Sequence, residues 1–216
     1  MTAPAGTVRR DGVLAAGTDE WRRAADWARR LAWWSLVYML AEGAVGLAAG
    51  ITAGSVALVG FGIDSGIEAL AGLVVVWRLS GARAKSETAE RRAQQVVAVS
   101  FALLAPFVAV EAIIKLADGT HPQPSLAGAV LAACSLVVMP LLGRAKQCLG
   151  VRLASEATAG EGNQNLLCAA LAAAVLAGLV GNWAFGWWWL DPTVGLAVAA
   201  VAVVEARSAW RGDDCC

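Results

Sequence analysis

Residues 54 to 78 read GSVALVGFGIDSGIEALAGLVVVWR, an apolar run with two acids, Asp64 and Glu68, near its middle. A helix needs roughly 20 residues to cross about 30 Å of hydrocarbon, and this run is long enough. Comparable runs occupy 31–50, 95–116, 125–143, 164–184 and 188–206. Backbone groups cannot be left unpaired in lipid, so such runs fold as helices or as strands of a closed barrel. Barrel strands are short and alternate in polarity, whereas these runs are long and continuous. The pattern therefore predicts an all-α fold, a polytopic bundle of six transmembrane helices.

Composition agrees. The 216 residues are 58% hydrophobic and only 16% charged, with a mean hydropathy of +0.61; soluble domains carry about a quarter charged residues. No apolar core of signal-peptide length occurs in the first 30 residues. Within them, Thr18 followed by Asp19 and Glu20 reads as a helix start, and Trp21 and Trp27 share the next turns with Arg22, Arg23, Arg29 and Arg30. That stretch is expected to form a short interfacial helix leading into the first span. The chain thus divides into a cytoplasmic segment (1–30), a transmembrane domain (31–206) and a short cytoplasmic tail (207–216).

The zero net charge conceals an asymmetry. Of the 17 Lys and Arg, only Lys115 falls on the side opposite the termini. The others lie before the first span, between spans two and three (Arg78, Arg83, Lys85, Arg91, Arg92), between spans four and five (Arg144, Lys146, Arg152), or after the last. The positive-inside rule places both termini in the cytoplasm. Trp183, Trp187, Trp188 and Trp189 then form an aromatic belt at the outer interface. Arg outnumbers Lys, as in GC-rich genomes, so a bacterial cell membrane is expected. Cys134 and Cys168 fall within spans and Cys148, Cys215 and Cys216 on the inner side, which argues against a disulfide framework. The adjacent Cys215 and Cys216 lack the spacing of a tetrahedral zinc site.

An ionisable group at the bilayer centre costs about 2.5–3.5 kcal/mol on insertion scales, so each one calls for a reason. Glu42 lies in span one, Asp64 and Glu68 in span two and Glu111 late in span three, while Glu161, Asn163, Gln164 and Asn165 open span five. No Lys or Arg falls mid-span to neutralise them; Lys115 is one turn from Glu111 and is expected to pair with it. Asp64 and Glu68, four apart, share one helix face. That face continues through Ala57 and Gly60, with Gly62 and Gly66 nearby, and small residues admit a neighbouring helix or an ion. Val59, Ile63, Ile67 and Leu70 lie on the other face and suit lipid or bulky packing. Span five repeats the spacing with Glu161 and Asn165, on a face running through Cys168, Ala169 and Ala172. Packed together, spans two and five would supply four oxygen-bearing side chains to one divalent cation. The plainer reading is that the acids are protonated, hydrogen-bonded links between helices, but such links need only one partner each, and the duplicated pairs then have no role.

These residues resemble the cation diffusion facilitator, or cation efflux, family. GSVALVGFGIDSGIE is similar to its second span, and EGNQNLLCAALAAAVLAGLVGNWAFGWWWLDPTVGLAVAAVAVVEA to its fifth and sixth, including the Asp191-Pro192 start of the sixth. YMLAEG around Glu42 and VEAIIKLADGTHPQPSLAGAVLA fit as well. The likeness covers roughly residues 31 to 210. It implies a transport site at Asp64, Glu68, Glu161 and Asn165. Members usually supply His or Asp there, whereas this chain's single histidine, His121, lies in an outward loop and is expected to be solvated. The FGIDSGIE form resembles a histidine-free branch, leaving zinc, iron, manganese and cobalt open. Many members continue into a cytoplasmic metal-sensing domain; here the sequence stops about ten residues after span six, so no such domain is expected and a homodimer would form through membrane helices.

The resemblance implies divalent cation efflux by proton antiport, with metal and protons as transported species and no resident cofactor. Neighbouring carboxylates in a low-dielectric site take up and release protons as a unit, and metal binding displaces those protons. An enzyme is not expected: serine proteolysis in the membrane would need a histidine base, which no span contains, and lipid-modifying Mg²⁺ chemistry needs a denser acidic motif. Nothing points to a nucleic-acid partner. Carriage of organic cations fits the small-residue faces less well. The remaining alternative is a non-transporting membrane subunit or metal sensor whose acids are structural. Asn163 and Gln164 stand beside Asn165 as substitute ligands.

Overall fold

The computed structural model describes residues 13–15, 18–79, 87–153 and 156–211. Arg9, Arg10, Arg83, Lys85 and the Cys215–Cys216 pair lie outside the described residues. The chain forms six helices: α1 (Asp19–Ala53), α2 (Val56–Leu79), α3 (Glu87–Asp118), α4 (Leu126–Leu153), α5 (Glu156–Phe185) and α6 (Leu190–Arg211). All six expected spans are present. Among the described residues, α1, α4 and stretches of α3 (98–118) and α5 (158–185) are long and apolar enough to cross a membrane.

Helix α1 starts where the capping signal places it. Thr18 is the N-cap, its hydroxyl accepting from the Trp21 amide at 3.2 Å. No proline interrupts the residues that follow, so the stretch expected as a separate interfacial helix is the beginning of one continuous 35-residue helix. At about 1.5 Å per residue it reaches about 50 Å, well beyond the hydrocarbon thickness. Its other end closes on Gly54, at φ 65°, whose amide points back to Gly50 and Ile51 carbonyls, as helix C-termini with a left-handed cap do. Helix α4 likewise outruns its expected span, ending at Leu153, so Arg144, Lys146 and Arg152 are helical residues rather than loop residues. Leu14 donates its amide to the Arg152 carbonyl at 2.9 Å, tying the N-terminal segment to that end of α4.

The helices associate as pairs. The most extensive packing joins α4 with α5, α1 with α2, and α3 with α6, while α2 also touches α3, α5 and α6. Glycine permits the closest approach. A Cβ on Gly62 would stand 2.6 Å from the Leu47 amide nitrogen and 2.9 Å from the Gly46 carbonyl carbon, and one on Gly162 would stand 2.7 Å from the Gly143 carbonyl oxygen. Gly62 of α2 therefore serves the contact with α1, and Gly162 of α5 the contact with α4. The expected α2–α5 meeting is made in a core that holds Ala57, Phe61 and Ala69 of α2 with Cys168, Ala169 and Ala172, the small-residue face of α5. The opposite face of α2 packs Val56, Ile63 and Ile67 against Phe101, Val108 and Ala202, and Leu70 reaches outward.

At the far end from the N-terminus, side chains lock helix ends together. Ser55 accepts from the Leu58 amide at 3.1 Å, and Asp191 accepts from the Ser55 hydroxyl and, at 2.9 Å, from the Val56 amide. The carboxylate of α6 thus caps α2. Lys115 does not pair with Glu111 as expected; its ammonium donates to the Gly54 carbonyl, because the C-terminus of α1 presents unsatisfied oxygens there. His121 is exposed, its ring 5.3 Å from that of Trp188.

Gly62→Ala should destabilise the protein by about 1–3 kcal/mol, the usual penalty for overpacking. Gly66→Ala, whose Cβ would meet nothing within 4 Å, should not. Thermal melts of the detergent-solubilised variants check this, and equal midpoints would refute the glycine-mediated contact.

Candidate metal site

Asp64, Glu68 and Cys168 are all buried, and one ligand atom from each lies within 4.8 Å of the others. The helical repeat explains the first two, and the α2–α5 packing brings the sulfur to them. Asn165, one turn before Cys168, is 1% exposed. It shares with Glu68 the wall of a cavity of about 50 Å³ that also touches Ser35, Met39, Lys146 and Glu161. Glu68 Oε2 and both polar side-chain atoms of Asn165 are buried with no hydrogen-bond partner. A buried polar group left unmatched costs about 1–3 kcal/mol, so three such atoms beside a cavity are an arrangement suited to receiving a ligand.

Glu42 is treated differently by the fold. It is buried against the same cluster, yet the hydroxyl of Ser65 donates to its Oε2 at 3.0 Å, the hydroxyl of Ser135 donates to Oε1, and the Cys168 thiol lies 3.8 Å from Oε2. Tyr38 extends this chain with a long contact of 3.5 Å to Ser135. Glu42 thus joins α1 to α2, α4 and α5 as a hydrogen-bonded link.

Of the four positions expected to converge, Glu68, Glu161 and Asn165 line one cavity, with Asp64 beside Glu68. Asp64 and Glu68 stand together with Cys168. Glu161 lines the cavity but is already engaged: its Oε2 is 3.0 Å from the Lys146 ammonium, which also donates to Ser35 Oγ at 2.7 Å. The expectation that no cation reaches the intramembrane acids fails here, because α4 continues inward past residue 143 and carries Lys146 into the interior, 2% exposed. Asn163 meets Gln147 at 2.6 Å, whereas Gln164 lines the cavity. Cys168 was the functional candidate passed over. Its place on the small-residue face, seven residues after Glu161, was the available signal; only the packing shows which neighbour that face meets.

Buried oxygen and sulfur donors thus lie at the heart of a six-helix polytopic bundle. The model of the cation efflux transmembrane domain matches residues 32–211, and the chain belongs to the cation efflux family. It is a multi-pass membrane protein whose family moves metal cations outward across membranes.

If the thiol ligates, Co²⁺ bound to the purified protein should show near-ultraviolet sulfur-to-metal absorption that Cys168→Ser removes. Retention of that band in the serine variant would exclude Cys168 from the coordination sphere.

Proposed function

We propose that this chain exports a transition-metal dication of the Zn²⁺, Fe²⁺, Mn²⁺ or Co²⁺ type, bound between α2 and α5, in exchange for protons. The observation that carries the reading is the convergence of Asp64, Glu68 and Cys168 within 4.8 Å, beside the unpartnered polar atoms of Glu68 and Asn165. Asp64 and Glu68 supply carboxylate oxygens, Asn165 a neutral oxygen and Cys168 a softer sulfur. That donor set suits first-row transition metals better than Mg²⁺ or Ca²⁺, which favour oxygen alone. Glu161 receives the ion on its way to the deeper ligands.

Carboxylates and thiols must lose protons to bind a metal, so metal and protons compete for one set of atoms. Protons arriving from the outer side would release the ion there, and the ion arriving from the inner side would release protons. The charge asymmetry of the helix ends favours an orientation with both termini in the cytoplasm. A bacterial cell membrane and assembly as a homodimer through membrane helices complete the proposal.

Proteoliposomes holding the protein should take up Zn²⁺, Fe²⁺, Mn²⁺ or Co²⁺ when a pH gradient is imposed. Asp64→Ala should reduce the rate by at least about tenfold, the scale for losing one charged metal ligand or its support. Uptake by that variant at the parental rate would remove Asp64 from the site, and uptake indifferent to the pH gradient would remove the proton.

A further inference from the structure

Lys146 is the feature that cation transport alone leaves unexplained. Its ammonium lies in the interior of a protein whose cargo is itself positive, and like charges there repel strongly because little solvent screens them. The cavity it lines is bounded by residues 32–39 of α1, 68–72 of α2, Lys146 of α4 and 161–165 of α5, that is, by the first half of the membrane run of α1, the second halves of α2 and α4 and the first part of α5. In an alternating bundle those four portions lie toward one side, the side of the N-terminus. Asp64 and Cys168 lie deeper along α2 and α5 than the cavity residues Gly72 and Glu161. The ammonium therefore stands between that side and the deep ligands.

We propose that Lys146 is a tethered cation that gates this approach, neutralising Glu161 until an incoming metal ion displaces it. The proposal rests on the reading of Asp64, Glu68 and Cys168 as the binding site. Three observations carry it. Among the described residues, Lys146 is fastened by two contacts, Glu161 Oε2 at 3.0 Å and Ser35 Oγ at 2.7 Å. Its flexible four-carbon stem can swing without backbone movement. The cavity, about 50 Å³, has room for an ion with little accompanying water, and Glu68 and Asn165 in its wall offer atoms that Lys146 leaves unpartnered. A dication settling on those atoms would face the ammonium across this small cavity. It would take over Glu161 as it pushes the lysine aside, so the carboxylate keeps a counter-charge in both conditions. Without such exchange, breaking the pair would leave an uncompensated buried charge.

The test uses the full chain in detergent, with Co²⁺ as the probe. In the unmutated protein, acetylation of Lys146 by a small amine reagent, quantified by mass spectrometry, should rise about tenfold on Co²⁺ saturation as the buried amine opens to solvent. Lys146→Met should bind Co²⁺ about tenfold more tightly, since the competing charge is gone, and adding Glu161→Gln should cancel the gain. Lys146→Arg, which keeps the charge, should bind as the parent does. Unchanged acetylation in Co²⁺-loaded parent overturns the gate, and because that arm needs no variant it decides even if Lys146→Met unfolds. A folded Lys146→Met with parental affinity overturns it too. Failure of the unmutated protein to bind Co²⁺ at all is a different result, which refutes the metal site itself.

Discussion

One carboxylate fixes the helix on which the rest depends. Asp191, at the first turn of α6, accepts from the Val56 amide at 2.9 Å and from the Ser55 hydroxyl, and so closes the N-terminus of α2. The free amides at a helix start carry a partial positive charge and must find acceptors, most of all where water is scarce. An acid from a neighbouring helix answers both demands and sets the axial position of α2 relative to α6. Glycine contacts then bring α1 against α2, with Gly46 and Gly62 backbone to backbone. The depth of Asp64 and Glu68 in the bundle follows from these two fastenings.

The interior holds its buried polar groups in two conditions, partnered and unpartnered. Glu42 has its oxygens occupied by Ser65 and Ser135. Glu161 has Lys146. Glu68 Oε2 and the amide group of Asn165 have nothing. Burial alone would class all of these together, since every one except Glu161 is nearly inaccessible. Partner by partner, the unsatisfied groups gather on one side of the cluster, around the cavity between α2 and α5.

Much of this was legible in the sequence. Six apolar runs gave six helices, because lipid leaves a long apolar segment no other backbone solution. The Thr18 cap and the shared face of Asp64 and Glu68 were local features and were found where local rules put them. Two departures were of helix extent, at the start of α1 and the end of α4; the others were questions of which side chain meets which across helices. Lys115 and Glu111 are one turn apart, yet the carbonyl of Gly54 from another helix takes the lysine. Lys146 follows an apolar run and reads as a loop residue, yet α4 continues through it and places it against Glu161. Gly62 of α2 meets α1 and Gly60 meets Val108 and Val198 of α3 and α6, while Ala57 on the same small-residue face shares a core with α5. Spacing reports a face; it does not report what lies opposite.

The helix pairs give the site a further property. Backbone contact through Gly62 makes α1 and α2 one stiff unit, and contact between Gly143 and Gly162 makes α4 and α5 another. Asp64 and Glu68 belong to the first unit, Cys168 and Asn165 to the second, and the two units meet more lightly at α2 and α5 than either is held within itself. The proposed ion would lie across the seam between these two units. There it would add to the hydrogen bonds that already cross it, Ser135 to Glu42 and Lys146 to Ser35, so the cargo would help set how tightly the two units are joined.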